Sequence, residues 1–226
     1  MNTKILGAFL CVLLLTGCQA ADPLSGAKDP HSPWWDLRFT APTYMEGWVE
    51  AGAVVDINNR FFPRRGEGVI GGGEFENDGI DHARGWLGTS GNGSFVTGAD
   101  LPQRIYVRWQ SSVEPQTYQG WIEIPEEARQ LMRSSIARRC AKYPERPASL
   151  HPSVTLGLAP GGIVQVWVWD ECLRRIPFAR VQVEVEVEVE VEPLGPYLGK
   201  SNGHYFRQTK DSKLYVEKFG IPYGSW

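Results

Sequence analysis

The residues best placed to do chemistry are the cysteines. Leu15-Thr16-Gly17-Cys18 closes a nearly unbroken apolar run, Ile5–Leu15, that follows one positive side chain at Lys4. An aliphatic residue and two small ones before a cysteine form the pattern of a bacterial lipobox. In that pattern Cys18 is lipidated and the chain is then cut in front of it. The alternative is an ordinary secretory signal with a chance cysteine. The apolar run of about eleven residues suits a signal-peptide core and is too short to span roughly 30 Å of hydrocarbon as a helix. A single acyl chain binds a bilayer marginally, at about 0.8 kcal/mol per buried methylene, whereas the several chains of a lipoprotein cysteine hold firmly. Gln19, rather than an Asp, follows the cysteine, which points to sorting to the periplasmic face of the outer membrane. Residues 1–17 are thus expected to be a signal peptide and 18–33 a tether; Ala20–Pro33 is polar, with no apolar periodicity.

Of the four cysteines, Cys11 leaves with the signal and Cys18 takes lipid. Cys140 and Cys172 remain, and two thiols in an oxidising compartment favour a disulfide. A metal pair is the rival, but no His or Cys sits at ligand spacing around either one. Closing a loop of about 32 residues would contribute roughly 3 to 4 kcal/mol on the chain-entropy account.

Other chemistry is hard to find. Gly88-Thr89-Ser90-Gly91 has the wrong spacing for a nucleophile elbow, and Gly71–Gly73 lacks the Lys and helix of a phosphate loop. His31, His82, His151 and His204 are scattered. His82 beside Asp81 is a local acid–imidazole pair that reads as surface rather than catalyst. No two carboxylates stand out as acid and base. Asp56-Ile57-Asn58 lacks the Gly and distal Glu of a calcium loop. The pairs Arg64-Arg65, Arg138-Arg139 and Arg174-Arg175 are offset by acids and read as solvated surface. A net charge of −3 and a pI near 5.9 argue against nucleic-acid binding. The expectation is a non-enzymatic protein without metal or cofactor.

The elements that must position any site read mainly as strands. With 42% apolar and 22% charged residues, 25 Gly, 16 Pro and 9 Trp, the chain suits a soluble domain of short strands and turns. Trp35, Leu37 and Phe39 alternate with Asp36, Arg38 and Thr40, a strand ended by Pro42. Trp48–Ile57 is a second run, with Gly52 as a bulge site. From Phe61 to Asp100 the pattern dissolves into short strands and long loops, with a tight turn at Asp78-Gly79 and an apolar island at Trp86-Leu87. Ile105, Val107 and Trp109 face one way and Tyr106, Arg108 and Gln110 the other. After a Glu114-Pro115 turn, Tyr118–Ile124 reads as the returning antiparallel strand. Pro125 opens a helix to about Ala141, its stripe formed by Ala128, Met132, Ile136 and Cys140. Val154–Leu158 and Ile163–Trp169 flank Ala159-Pro160-Gly161-Gly162, a hairpin signal. Val181–Glu192 alternates Val with Gln182 and then Glu without interruption. It reads either as a long strand with a solvated acidic face or as an acidic stripe for a basic partner. Gly203–Lys210 suggests a last strand and Asp211–Phe219 a short helix stopped by Gly220. The fold class expected is mainly β, an α+β antiparallel sandwich-like sheet domain with one packed helix, over residues 34–226.

Five blocks carry a resemblance: PWWDLRFTAP at Pro33–Pro42, RIYVRWQS at Arg104–Ser111, VEPQTY at Val113–Tyr118, PGGIV at Pro160–Val164 and KFGIPYGSW at Lys218–Trp226. Together they resemble a family of small lipoproteins of unknown function from Pseudomonas and related Proteobacteria. Members are often found beside phospholipase effectors of the type VI secretion system. The resemblance implies an immunity role: a lipid-anchored, periplasm-facing protein that binds an incoming phospholipase and blocks it. The Val-Glu run departs from the family pattern, and the sequence names no contact residues. Trp-rich strands and Gly-rich loops leave a second reading open, a lipoprotein that binds glycan or another envelope ligand.

Overall fold

Alternating hydrophobicity builds the molecule as expected. The computed structural model describes residues 34–72, 85–86, 91–114, 116–136, 152–169 and 207–226. Cys18, Cys140, Cys172, all four histidines, the Asp78-Gly79 turn and the Val-Glu run lie outside them. The strands are β1 (Trp34–Thr40), β2 (Gly47–Asp56), β3 (Phe61–Pro63), β4 (Gly68–Ile70), β5 (Asn92–Thr97), β6 (Pro102–Ser111), β7 (Gln116–Glu123), β8 (Ser153–Ala159) and β9 (Ile163–Trp169). Two helices are described, α1 (Glu126–Ile136) and α2 (Lys210–Phe219).

The strands form two sheets, a four-stranded one ordered β5-β1-β8-β9 and a five-stranded one ordered β3-β2-β6-β7 with β4 also paired to β2. All pairings are antiparallel except β1 with β8, which is parallel from Asp36 opposite Ser153 to Thr40 opposite Gly157. The fold is a mainly β sandwich. Its inner faces supply one apolar core: Trp35, Leu37 and Phe39 from β1, Ile105, Val107 and Trp109 from β6, Val154, Leu156 and Leu158 from β8, and Ile122 from β7. Each such side chain contributes about 1.5–3 kcal/mol through burial. Trp35 donates its indole N–H to the carbonyl of Asp100 at 3.1 Å, so its one polar atom costs nothing inside.

Helix α1 begins after Pro125, with Glu126 and Glu127 at the positive end of its dipole. Ala128 and Met132 are buried against the core and Leu131 packs beside them. The Glu126 carboxylate meets Arg133 at 2.6 Å and Arg129 at 2.8 Å. Hydrogen bonds from Arg133 and then Arg129 hold its pKa below the ordinary value. The expected helix end at Ala141 falls beyond the described residues. The β8–β9 connection is the expected hairpin, turned by Pro160–Gly162 with Gly161 and Gly162 both left-handed. Helix α2 is capped by Thr209, whose side chain accepts from Ser212 N–H, and ends at Gly220 with φ 76°.

Two expectations are corrected. Gly52 pairs regularly with Val107, and the register slips between Val49 and Ala51, with Glu50 the extra residue of the bulge, and again between Val55 and Asp56. Glycine is needed at 52 for another reason: a Cβ there would lie 2.1 Å from the carbonyl oxygen of Arg65. The strand expected over Gly203–Lys210 is not formed in its described part. Arg207–Thr209 is irregular and Lys210 already opens α2, because Thr209 serves as the helix cap.

Asp56 organises the β2–β3 turn. It is fully buried and accepts from the N–H of Asn58 at 3.0 Å, of Arg60 at 2.9 Å and of Asp100 at 3.1 Å, and from Arg60 Nε at 2.8 Å. Burial pulls the carboxyl upward, and these donors together outweigh it, holding it below the ordinary 3.8. A lowered folded-state pKa means that the stabilisation is present above the unfolded value and is lost as pH falls through the folded one. Asp56→Asn should cost about 2–3 kcal/mol at neutral pH and flatten the acid limb of stability, read by denaturant unfolding at several pH values. Gly52→Ala should cost about 3 kcal/mol by overpacking; an unchanged unfolding midpoint would contradict the close approach of Arg65.

Candidate functional site

The two-residue period that buries Ile105, Val107 and Trp109 sends Arg104, Tyr106, Arg108 and Gln110 to the outer face of the five-stranded sheet. Their cross-strand partners on β7 are Glu123, Trp121, Gln119 and Thr117. The bulge adds a carboxylate to this face, since Glu50 and Ala51 both stand against Arg108. Glu50 accepts from Arg108 Nε at 2.6 Å and from the Gln110 side-chain amide. Its side chain is 3% exposed and that of Arg108 is 20% exposed. Arg108 also donates to Gln119 Oε1 at 3.3 Å, and Tyr106 Oη donates to the same oxygen at 2.8 Å. A carboxylate, a guanidinium, two amides and a phenol are thus locked into one network.

Beside this network the face opens to solvent. The Arg104 guanidinium lies over the Trp121 ring at 4.6 Å, and Trp121 tilts against Tyr106 with centroids 5.4 Å apart. Arg104 makes no ion pair with a described residue. Phe61, at the β3 edge of the same sheet, is 59% exposed. An indole, a phenol and an arginine side by side on one sheet face are groups suited to binding, since they offer large contact area.

A second constellation lies where two turns meet the C-terminal tail. The Glu114 carboxylate accepts from Tyr118 Oη at 3.0 Å, Tyr223 Oη at 2.7 Å and the N–H of Gly161 at 2.9 Å. Gly161 has φ 79°, a left-handed conformation that favours glycine, and the Tyr223 ring packs beside it. Burial, then the charge and the hydrogen bond of Glu114, push the Tyr118 phenol well above its usual range. Burial, then the hydrogen bond and the charge of the same carboxylate, raise Tyr223 to about 12. Both phenols therefore stay protonated at neutral pH and act as donors.

Three of the sequence blocks, VEPQTY, PGGIV and KFGIPYGSW, converge on Glu114. RIYVRWQS supplies much of the outer face and PWWDLRFTAP the central strand β1. In the sequence Glu114 reads as a turn residue, and nothing local marks it as a hub, because two of its three donors come from 47 and 109 residues away. The sites that the sequence did single out, Cys18 for lipid and Cys140 with Cys172 for a bridge, lie outside the described residues, as does His82. Among the described residues no cluster of His, Cys, Asp or Glu could hold a metal ion, and no helix is long and apolar enough to cross a membrane.

A raised tyrosine pKa stabilises the fold below the unfolded value of 10.0 and loses that contribution as pH climbs through the folded value. Alkaline titration followed by phenolate absorbance should therefore show two of the eight tyrosines ionising late. Glu114→Gln should bring both back toward the ordinary range. A titration curve identical to the parent's would mean that the carboxylate does not govern them.

A family described as a protein of unknown function (DUF2931) matches residues 23–224. No curated protein and no solved structure matches the chain.

Proposed function

The chain belongs to the DUF2931 family, and from that premise we propose a periplasm-facing lipoprotein, anchored through Cys18, that neutralises a type VI secretion phospholipase effector by direct binding. The lipobox supports the address, and the likeness of the five blocks to lipoproteins found beside such effectors supports the task. The single observation that carries the binding role is the Arg104–Trp121–Tyr106 stack on the outer face of the five-stranded sheet. Arg, Trp and Tyr dominate the energetics of protein interfaces, above all when they are pre-ordered. Tyr106 is tied through Gln119 to Arg108, which a largely buried ion pair with Glu50 holds in place.

The reading is tested by deleting the gene and exposing the strain to siblings that deliver the effector. Self-intoxication is the expected result, rescued by the parent gene. Trp121→Ala or Arg104→Ala should weaken capture of the purified phospholipase by about 30-fold, the equivalent of roughly 2 kcal/mol at a hot spot. Full survival of the deletion strain sinks the reading. A second reading, an envelope glycan-binding lipoprotein, is favoured by the pairing of Trp121 and Tyr106 with the adjacent Gln119 and Arg108. Trp121-dependent binding to purified cell-wall glycan, with no capture of a phospholipase, would select it.

A further inference from the structure

We propose that residues 207–226 form a detachable strap, which opens as a unit while the sandwich stays folded and uncovers an apolar patch at Tyr44 and Met45. The inference is independent of the partner assigned above. It starts from how the strap is attached. Residues 207–226 add no strand to either sheet. The backbone hydrogen bonds described for them outside helix α2 stay within the strap: Lys213 to Thr209, Gly220 to Val216, Tyr223 to Ile221 and Ser225 to Pro222. Its apolar residues do not join the main core. Tyr215 packs with Tyr44 and Met45 in a cluster of its own, flanked by Val113, Val216, Phe219, Ile221 and Trp226.

Polar ties between described residues include these three. The Glu46 carboxylate accepts from Thr209 Oγ1 at 2.7 Å and from Thr209 N–H at 3.2 Å. Ser212 Oγ donates to the carbonyl of Tyr44 at 2.5 Å. Tyr223 Oη donates to Glu114 at 2.7 Å. These anchors lie on the β1–β2 connection and the β6–β7 turn, so the strap can leave without breaking a ladder. Its ten-residue helix is too short to hold itself together in water, so departure and unfolding of the strap are one event.

The docking point is also strained. Tyr44 has φ 67°, a left-handed conformation that an aromatic L-residue seldom adopts and that costs on the order of a kilocalorie. Its ring stacks on Tyr215 with centroids 4.5 Å apart, and its carbonyl is the one held by Ser212. The turn that carries Tyr44 is closed within the sandwich, by Met45 N–H to the Pro42 carbonyl at 3.0 Å, so the ring is held ready to be covered or uncovered. The uncovered surface presents Tyr44, Met45 and Val113 between two carboxylates.

Native-state hydrogen exchange on the full chain at low denaturant tests this. The amides of α2 should exchange through a local opening, faster than those of β2 and β6, which should need global unfolding. Thr209→Ala, which removes the cap and its tie to Glu46, should speed α2 exchange by about tenfold and leave β6 amides unchanged. Ser212→Ala should act in the same direction. Exchange of α2 at the rate of β6 in the parent protein overturns the proposal, as does a variant that accelerates α2 and β6 alike.

Discussion

A carboxylate taken out of water has to be met by donors, and four acidic residues impose that requirement on this sandwich. Glu50, Asp56 and Glu46 are almost wholly buried, and Glu114 sits under two phenols. An unpaired charge in such places would cost several kilocalories, so each one dictates what must surround it. Glu50 draws Arg108 and Gln110 to a bulge. Asp56 gathers the amides of the β2–β3 turn and of Asp100. Glu46 receives the cap of α2, and Glu114 joins two turns to the tail. The apolar core explains why the two sheets adhere; the acids fix the bulge, the turns and the tail around it, and Glu114 ties a turn of one sheet to a turn of the other.

How much of this is legible in the sequence depends on range. The alternation around Trp35, Ile105 and Val154, the Pro125 start of α1, the Pro160–Gly162 turn and the Gly220 stop are all local signals with a local cause. The bulge at Glu50 was not legible. Gly52 looked like the irregular position, since glycine favours bulges, but the slip is set by Arg108, which lies 58 residues away. The parallel partnership of β1 and β8 was equally hidden, because nothing in a strand's own residues states which distant strand it will meet. The end of the expected last strand was lost to a cap: Thr209 is a poor strand terminus to read, but a good partner for Glu46.

The candidate site follows the same division. Alternation sets Trp35 with Leu37 and Trp109 with Val107, and both do lie inside. Trp121 is on the opposite parity of β7 from Ile122 and faces outward beneath Arg104. Parity alone identifies it as an outer residue once the register with β6 is known. What parity cannot supply is the network that ties down its neighbour Tyr106, which needs Glu50 from another strand. Glu114 is legible even less, since two of its donors reach it only after the β8–β9 turn and the tail have docked.

The position of β1 bears on how such a chain comes to fold. It lies inside its sheet, flanked by β5 on one side and β8 on the other, although it stands first among the described strands. Its parallel partner is roughly 120 residues further along, a contact of high sequence separation whose closure entropy must be met before its ladder forms. Until β8 emerges from synthesis or translocation, one edge of β1 has unmet amides and carbonyls and an apolar face bearing Trp35, Leu37 and Phe39. The opening strand is therefore the piece most in need of a chaperone's shelter, and the sandwich can be completed only after most of the polypeptide has arrived.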